Sequence, residues 1–567
     1  MINFFVIFSL VLLISLSFVG YGSILSYFLD RRLLKINIGY LGLLGLFTCT
    51  LISYTTIIFI KHNYYHNILI HLVGIIIFFY FYLSKKNNFK INIKRFFTIF
   101  ILLFIGLLIL RNHDDFNYYH LTYSLVLTEN KLIFGLGNLG HGYNHHSSVF
   151  FLNSIIFLPF IKHYLFHSIG WLTLFFVNLV FIDKLTNKNL KILDFSYFFY
   201  LFSFLFINFK FFRIGGYGTD LSGQIIMLTI IPLIYEIYKF KKVKEINNSN
   251  LNLSILLITY CSTLKSMMIL NFLFLVPLLF FTKLKNLKYI LLPKTILASL
   301  IGLFLLIFMN LSFTGCAVYP VKQTCLENKL EWSLSKRHVE KMNKFYQLWS
   351  KSGAGLNYKI KNDDEYIKKL NWVSNWYERY FTYKFKETLL GMFFLVFLVT
   401  FLYQLNINQS FKKIDSLSKR SIKIICIITS LLFLEWFLYH PALRYGGYHL
   451  LAILIFLPFS IFLAKKNINL KKKLSVTFTL IILSFFLFNY KNFKRIKEEF
   501  LIVKNHNFPL FYSPKQESTK IDIGNDISIY VPNDQKGCWT VKTPCTHYAG
   551  NVEGDSLGPF KMIKRKN

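Results

Sequence analysis

The chain has 567 residues, of which 54% are hydrophobic and only 16% charged. Apolar runs close to the roughly 20 residues that span a bilayer recur from end to end, which excludes a soluble globular enzyme and predicts a polytopic membrane protein. The formal net charge of +37 comes from small lysine clusters between those runs rather than from one basic face, which excludes nucleic acid as the partner.

The N-terminus, M-I-N-F-F-V-I-F-S-L, has no positive n-region, so residues 3–28 read as a first membrane helix that is retained. Further apolar spans are expected at 38–60, 67–84, 96–110, 164–182, 195–209, 221–238, 251–264, 267–282, 295–311, 388–405, 424–439, 450–464 and 475–490. The predicted fold is all-α and polytopic, with about 14 (12–14) transmembrane helices. Basic clusters such as Arg31/Arg32/Lys35, Lys239/Lys241/Lys242 and Lys465/Lys466/Lys471 fall in every second connection, which places those connections in the cytoplasm and both termini outside. Lys491, Lys494, Arg495 and Lys497 run against this rule. The chain thus divides into membrane helices at 1–110, a first outer loop at 111–163, membrane helices at 164–311, an outer loop at 312–387, membrane helices at 388–490 and an outer tail at 491–567.

The first outer loop opens R-N-H-D-D-F-N-Y-Y-H-L-T-Y-S-L, with Asp114 and Asp115 adjacent. At 100° per residue, Asp114, Asn117, His120, Ser124 and Thr128 share one side, and Phe116, Tyr119, Tyr123, Val126 and Leu127 the other. That pattern predicts a helix lying on the membrane surface with its aromatics down. The glycine-rich G-L-G-N-L-G-H-G-Y-N-H-H then predicts an irregular loop that returns His145 and His146 to the same surface. Two adjacent acids in a loop are equally read as solvated charges or a helix cap.

Isolated charges recur on the later outer connections: Arg213 and Asp220, then Lys265, then Glu435, Arg444 with Tyr445, and His440 and His449. A charge near hydrocarbon is costly and ordinarily faces a partner or a wet cavity, so one outward-opening cavity is expected. Trp332, Trp349, Trp372 and Trp376 suit a sugar platform, a small core or a membrane anchor alike. Cys316 with Cys325 and Cys538 with Cys545 form two close pairs in regions assigned outside, which fits disulfides; a metal site is the rival reading. Cys49, Cys261 and Cys426 sit in apolar runs and are expected to be inert core residues. In the tail, I-D-I-G-N-D-I-S-I-Y-V-P alternates and reads as strand.

An acidic pair just after a membrane helix, followed by an interfacial helix, resembles the GT-C glycosyltransferases. These polytopic enzymes use a sugar linked to a polyprenyl phosphate. The resemblance implies that Asp114 or Asp115 acts as base or orients the acceptor. It makes Arg213, Lys265 and Arg444 candidates for holding the lipid phosphate. Three apolar spans precede the helix leading into the acidic pair, where these enzymes commonly have none. D-D-F-N-Y-Y-H, R-I-G-G-Y-G-T-D, G-C-A-V-Y-P-V-K-Q-T-C and C-W-T-V-K-T-P-C-T also resemble a bacterial family of large membrane proteins with no assigned function.

The expected activity is therefore sugar transfer from a polyprenyl-phosphate-linked donor to an extracytoplasmic acceptor, at the outer face of a bacterial inner (cytoplasmic) membrane. Asp114 is the expected base, assisted by Asp115 and His120. Arg213, Lys265 and Arg444 form the expected phosphate clamp, while Asp220, Glu435, Tyr445 and His145 orient cations or meet the sugar. A divalent cation such as Mg or Mn would bridge an aspartate to phosphate, though the sequence does not demand one. Membrane lipid is the surrounding partner. A lipid-linked-glycan transporter or flippase, a glycan polymerase or ligase, and a structural membrane protein are the competing readings. The one-sided placement of charges and the lack of a repeat disfavour transport.

Overall fold

The computed structural model describes residues 4–566 apart from 85–91, 110–112, 187–193, 217–218, 283–290, 358–359, 405–406, 412–414, 469, 503–513, 515, 535–536 and 548–549. Nine helices among the described residues are long and apolar enough to cross a membrane: Phe4–Leu29, Ile38–Phe59, Tyr64–Leu83, Ser168–Thr186, Pro293–Thr314, Val373–Gln404, Ser416–Tyr439, Gly447–Ala464 and Lys473–Ile502. The chain is a membrane-embedded helical protein. Phe195–Lys210, Ser222–Ile237 and Ser266–Phe281 are apolar but shorter, as are Ile93–Phe104 and Asn248–Leu264. Nine of the fourteen expected spans coincide with helices of spanning length among the described residues, and the other five fall on shorter helices.

Burial sorts these helices. Ser168–Thr186 is apolar all round, and 83% of its apolar window is buried, which makes it the centre of the bundle. Tyr64–Leu83 is only 33% buried and turns Leu69, Ile76, Phe79 and Tyr80 outward, as a lipid-facing helix does. The first two helices pack tightly because glycines meet backbone: a Cβ on Gly22 would lie 1.8 Å from the Leu41 carbonyl oxygen, and one on Gly45 1.7 Å from that of Phe18.

Five expectations change. The helix after the acidic pair does not lie on a lipid surface. It starts with a π-helical turn, Phe116–His120, and continues as Leu121–Glu129, in which every residue from Leu121 to Thr128 is buried. Protein covers it instead: Trp539 of the tail joins Phe116, Leu121, Leu125 and Phe166 in one apolar cluster, and Tyr123 stacks on Phe150.

The last membrane helix does not stop at 490 but runs Leu470–Ile502. The basic cluster that defied the charge rule lies inside it. Arg495 is buried, pairs with Glu499 at 2.9 Å and donates to the Leu108 carbonyl at 2.6 Å. Lys491 donates to the Phe209 carbonyl at 3.1 Å. At least these two cations satisfy structural partners, so they say little about sidedness. The preceding boundary shifts as well, since the helical segment ending at Gln404 begins at Val373, within the expected loop, and passes through a π-helical stretch, Tyr377–Phe385.

The expected single strand of the tail is a hairpin. Ser518–Asp522 pairs antiparallel with Ser528–Pro532 across a turn in which Gly524, Asn525 and Asp526 all have positive φ. A second hairpin pairs Val552–Leu557 with Phe560–Arg565. This second hairpin adds to the loop after the buried helix, because Phe134 N donates to Lys561 O at 2.9 Å and Ile563 N to Phe134 O at 2.8 Å.

Both cysteine pairs, Cys316–Cys325 and Cys538–Cys545, are disulfides. Cys49 and Cys261 are buried, whereas Cys426 is exposed on the outer face of its helix rather than in the core.

Candidate functional site

Four charged side chains from four separate segments meet at the end of the bundle that carries the loops and tail. Asp115 stands at the start of the helical turn that follows Ile93–Phe104. Asp220 lies two residues before Ser222–Ile237, and Lys265 caps the C-terminus of Asn248–Leu264. Arg444 sits on the 3₁₀ turn Leu443–Tyr445, between two long helices. The Arg444 Nε donates to Asp220 Oδ2 at 2.7 Å, and its Nη2 to Asp115 Oδ2 at 3.1 Å. Lys265 Nζ donates to the other Asp220 oxygen at 2.7 Å. His113 Nδ1 lies 3.2 Å from Asp115 Oδ2.

Gln224 ties the segments together. Its amide donates to the backbone oxygens of Asp220 at 3.0 Å and Arg444 at 2.9 Å, and its oxygen accepts from Tyr448 N at 3.0 Å. Aromatic rings flank the cations: Arg444 lies 5.4 Å from the Trp349 ring centre, and Lys265 5.6 Å from that of Tyr445.

The electrostatics follow from this pairing. Burial pushes the Asp115 carboxyl up, but the His113 hydrogen bond and the Arg444 charge outweigh it and hold it well below the usual carboxylate range. Burial of Asp220 is likewise overcome by Lys265 and Arg444. Two acids and two bases leave the network nearly neutral, which makes its burial tolerable. His120 is different: burial lowers it to about 4 despite the neighbouring acids, so its ring is neutral near pH 7. Its Nε2 finds no hydrogen-bond partner among the described residues.

Cavities open on both sides of the network. One, of about 150 Å³, has walls that include Tyr119, His145, Lys265, Tyr346, His440 and Tyr445. The other, of about 330 Å³, is bordered by Asp115, Asp220 and Arg444 together with Lys210, Arg213 and Lys384. The first is aromatic and imidazole-rich; the second is strongly cationic.

The sequence-derived candidates separate accordingly. Asp115, Asp220, Lys265, Arg444 and Tyr445 are brought together. Asp114 is exposed beside them, outside the network. His145 and His146 both border the smaller cavity, His145 with its ring 5.0 Å from Tyr346 and His146 bonded to Tyr54 at 2.8 Å. Arg213 borders the cationic cavity but pairs with Glu499 at 3.2 Å rather than with the aspartates. Glu435 stays partly buried on its helix, apart from the network. Trp349 stacks by Arg444, whereas Trp372 and Trp376 pack against Phe437 as core.

Among the described residues no three His, Cys, Asp or Glu side chains gather to hold a metal ion. Both network acids already accept from cations, so these residues are poor ligands for a resident metal. The sequence reading missed Gln224, whose signal was an amide one helical turn past Asp220 in an apolar run. It also missed Lys210 and Lys384, which border the cationic cavity.

The family described as "Domain of unknown function (DUF8201)" matches residues 1–451. The chain belongs to DUF8201. All four network residues of this DUF8201 chain fall inside the matched segment, which ends within the helix following Arg444. The hairpin tail lies beyond it. No curated protein and no solved structure matches this DUF8201 chain.

Proposed function

We propose that this chain is a membrane glycosyltransferase that moves a sugar from a polyprenyl-phosphate-linked donor to a hydroxyl of an extracytoplasmic acceptor. A GT-C-like fold with about 14 crossings, its site facing away from the cytoplasm of a bacterial cell, belongs to the same proposal. The observation that carries the reading is the Asp115–Arg444–Asp220–Lys265 network, set between a cationic cavity and an aromatic one.

The cationic cavity suits the donor phosphate: Arg444, with Lys210, Arg213 and Lys384 around it, offsets the charge that develops as the glycosyl–oxygen bond breaks. The aromatic cavity suits the sugar and the incoming hydroxyl. Asp115, rather than Asp114, is the base. In the resting network its carboxylate is too weakly basic to take a proton readily. A phosphate that draws Arg444 to itself removes that stabilising charge and raises the carboxyl toward the ordinary range. The acceptor hydroxyl then attacks the anomeric carbon, its proton passes to Asp115, and the lipid phosphate departs with the bonding electrons. Asp220 keeps Arg444 and Lys265 in place through both states.

The test uses the full chain in lipid nanodiscs with undecaprenyl phosphate carrying a radiolabelled hexose and a cell-envelope glycan extract as the source of acceptor hydroxyls. Consumption of the lipid-linked label is expected for the native chain and for Asp114→Asn, and is expected to disappear for Asp115→Asn. Equal consumption by native and Asp115→Asn chains would refute the assignment.

A further inference from the structure

The glycine-rich loop that follows the buried helix has a use beyond the ion network. Gly135 takes a positive φ of 69°, and a Cβ there would lie 2.0 Å from the Ile563 carbonyl oxygen. Gly135 has no room for a side chain because the tail hairpin lies directly on its backbone. The tail is fastened at several further points. Tyr143 Oη donates to Cys545 O at 2.7 Å, Thr546 Oγ1 to Leu139 O at 2.7 Å, and Thr543 Oγ1 to Glu129 Oε2 at 2.6 Å.

Between loop and tail the two segments leave a cavity of about 380 Å³. That size falls within the range of small-molecule sites. Tyr119 forms part of its wall and also part of the smaller cavity beside Lys265. One aromatic ring therefore separates this space from the site of proposed chemistry.

The lining selects a ligand chemistry. Tyr118 is 36% exposed, and its ring stacks on His547 with centroids 4.4 Å apart, giving a flat aromatic ledge. Asn551 and Arg565 are exposed at the rim and add amide and guanidinium donors. Among the described residues no Asp or Glu borders the cavity, which disfavours a cation as its ligand, and Leu139 and Val552 are the aliphatic ones, which argues against an acyl chain. A sugar ring offers what this lining complements: one face of C–H groups for an aromatic ledge, with hydroxyls around the edge for amide and guanidinium donors.

We propose that the loop–tail cavity is a saccharide subsite, which holds the sugars of an extended glycan acceptor whose terminal hydroxyl reaches past Tyr119 to the ion network. This rests on the transferase reading for its purpose, but its existence as a binding site does not. Half of the described lining, including His547, Asn551 and Arg565, comes from the tail outside the matched family segment, so acceptor choice is a property that the tail confers on this chain.

The experiment is saturation-transfer NMR on the full chain in nanodiscs with three hexasaccharides: β1,4-linked N-acetylglucosamine, α1,4-linked glucose and α1,4-linked galacturonate. At least one is expected to bind, with affinity reduced tenfold or more by Tyr118→Ala and by Asn551→Ala. Asn551 is exposed, so its replacement keeps the fold even if Tyr118→Ala does not. Failure of all three sugars to bind, or binding indifferent to Asn551→Ala and to a folded Tyr118→Ala, overturns the subsite. Glycan binding by a chain that transfers no sugar would keep the subsite and remove the transferase reading. Transfer with full rate in both variants would do the reverse.

Discussion

Arg444 Nε and Asp220 Oδ2 lie 2.7 Å apart although 224 residues separate them in the chain. This contact joins the turn before one helix to the turn before another. The Asp220 carboxylate is fully used, with Lys265 on its second oxygen.

Removing that carboxylate leaves two cations facing each other in a poorly solvated place. Asp220→Ala is expected to destabilise the chain by about 3–5 kcal/mol, as for other buried pairs that lose one member. Thermal unfolding of the nanodisc-embedded protein reads this directly. A midpoint equal to that of the native chain would mean that water already screens the network.

Arg444→Lys keeps the charge but not the fork. A single ammonium cannot bond Asp220 and Asp115 along two directions while lying by the Trp349 ring. Sugar transfer is expected to fall at least tenfold with insertion unchanged, measured as the initial rate of loss of lipid-linked label. A rate within twofold of native would assign Arg444 to charge alone.

Acid acts on two sets of groups at different pH. His120 and His440 are both held to about 4, and His146 to about 3, by burial, against an unfolded value near 6.5. Unfolded chains bind protons that the folded one refuses, so stability falls as pH drops from about 6.5 toward 4. Asp115 and Asp220 behave differently, because their folded values are depressed: their contribution is complete above about 3.9 and is lost only below it. Unfolding midpoints at pH 7.5, 5.5 and 4.5 should decline steadily, and His120→Phe should flatten part of that decline. A flat profile in the native chain would contradict the burial of these rings.

The tail disulfide holds the segment that covers the buried helix. Cys538 N donates to Asn117 O at 3.0 Å, and Trp539 packs against Phe116. Replacing Cys538 and Cys545 by Ser is expected to weaken the tail by about 2–3 kcal/mol and to speed its proteolysis. Limited digestion followed by mass spectrometry measures this. Cleavage at the native rate would show that the hydrogen bonds to the loop suffice.

Sidedness has its own test. Lys131→Cys, beside the tail hairpin, should react in intact cells with a maleimide that cannot cross the membrane. Labelling only after lysis would place the whole charged site on the cytoplasmic side and end the transferase proposal.

The sequence by itself determined the helices, the two disulfides, and the residue types that meet at the site. These are local matters: a run of apolar residues has few stable states in lipid other than a helix, and paired cysteines seven and nine residues apart can close on themselves. Asp115, Asp220, Lys265 and Arg444 were also legible, because a charge at the end of an apolar run is costly unless it has a partner. Which charges became partners was decided by the tertiary structure. Asp114 and Asp115 are neighbours, yet a 100° step along one helical turn exposes the first and aims the second at Arg444. Arg213 was diverted to Glu499, which belongs to a helix that continues past its expected end. The Leu121–Glu129 helix carried a surface pattern, but a tail more than 400 residues later in the chain covered it. Such outcomes depend on the phase and meeting of distant segments, and periodicity along one segment carries no information about what will lie against it.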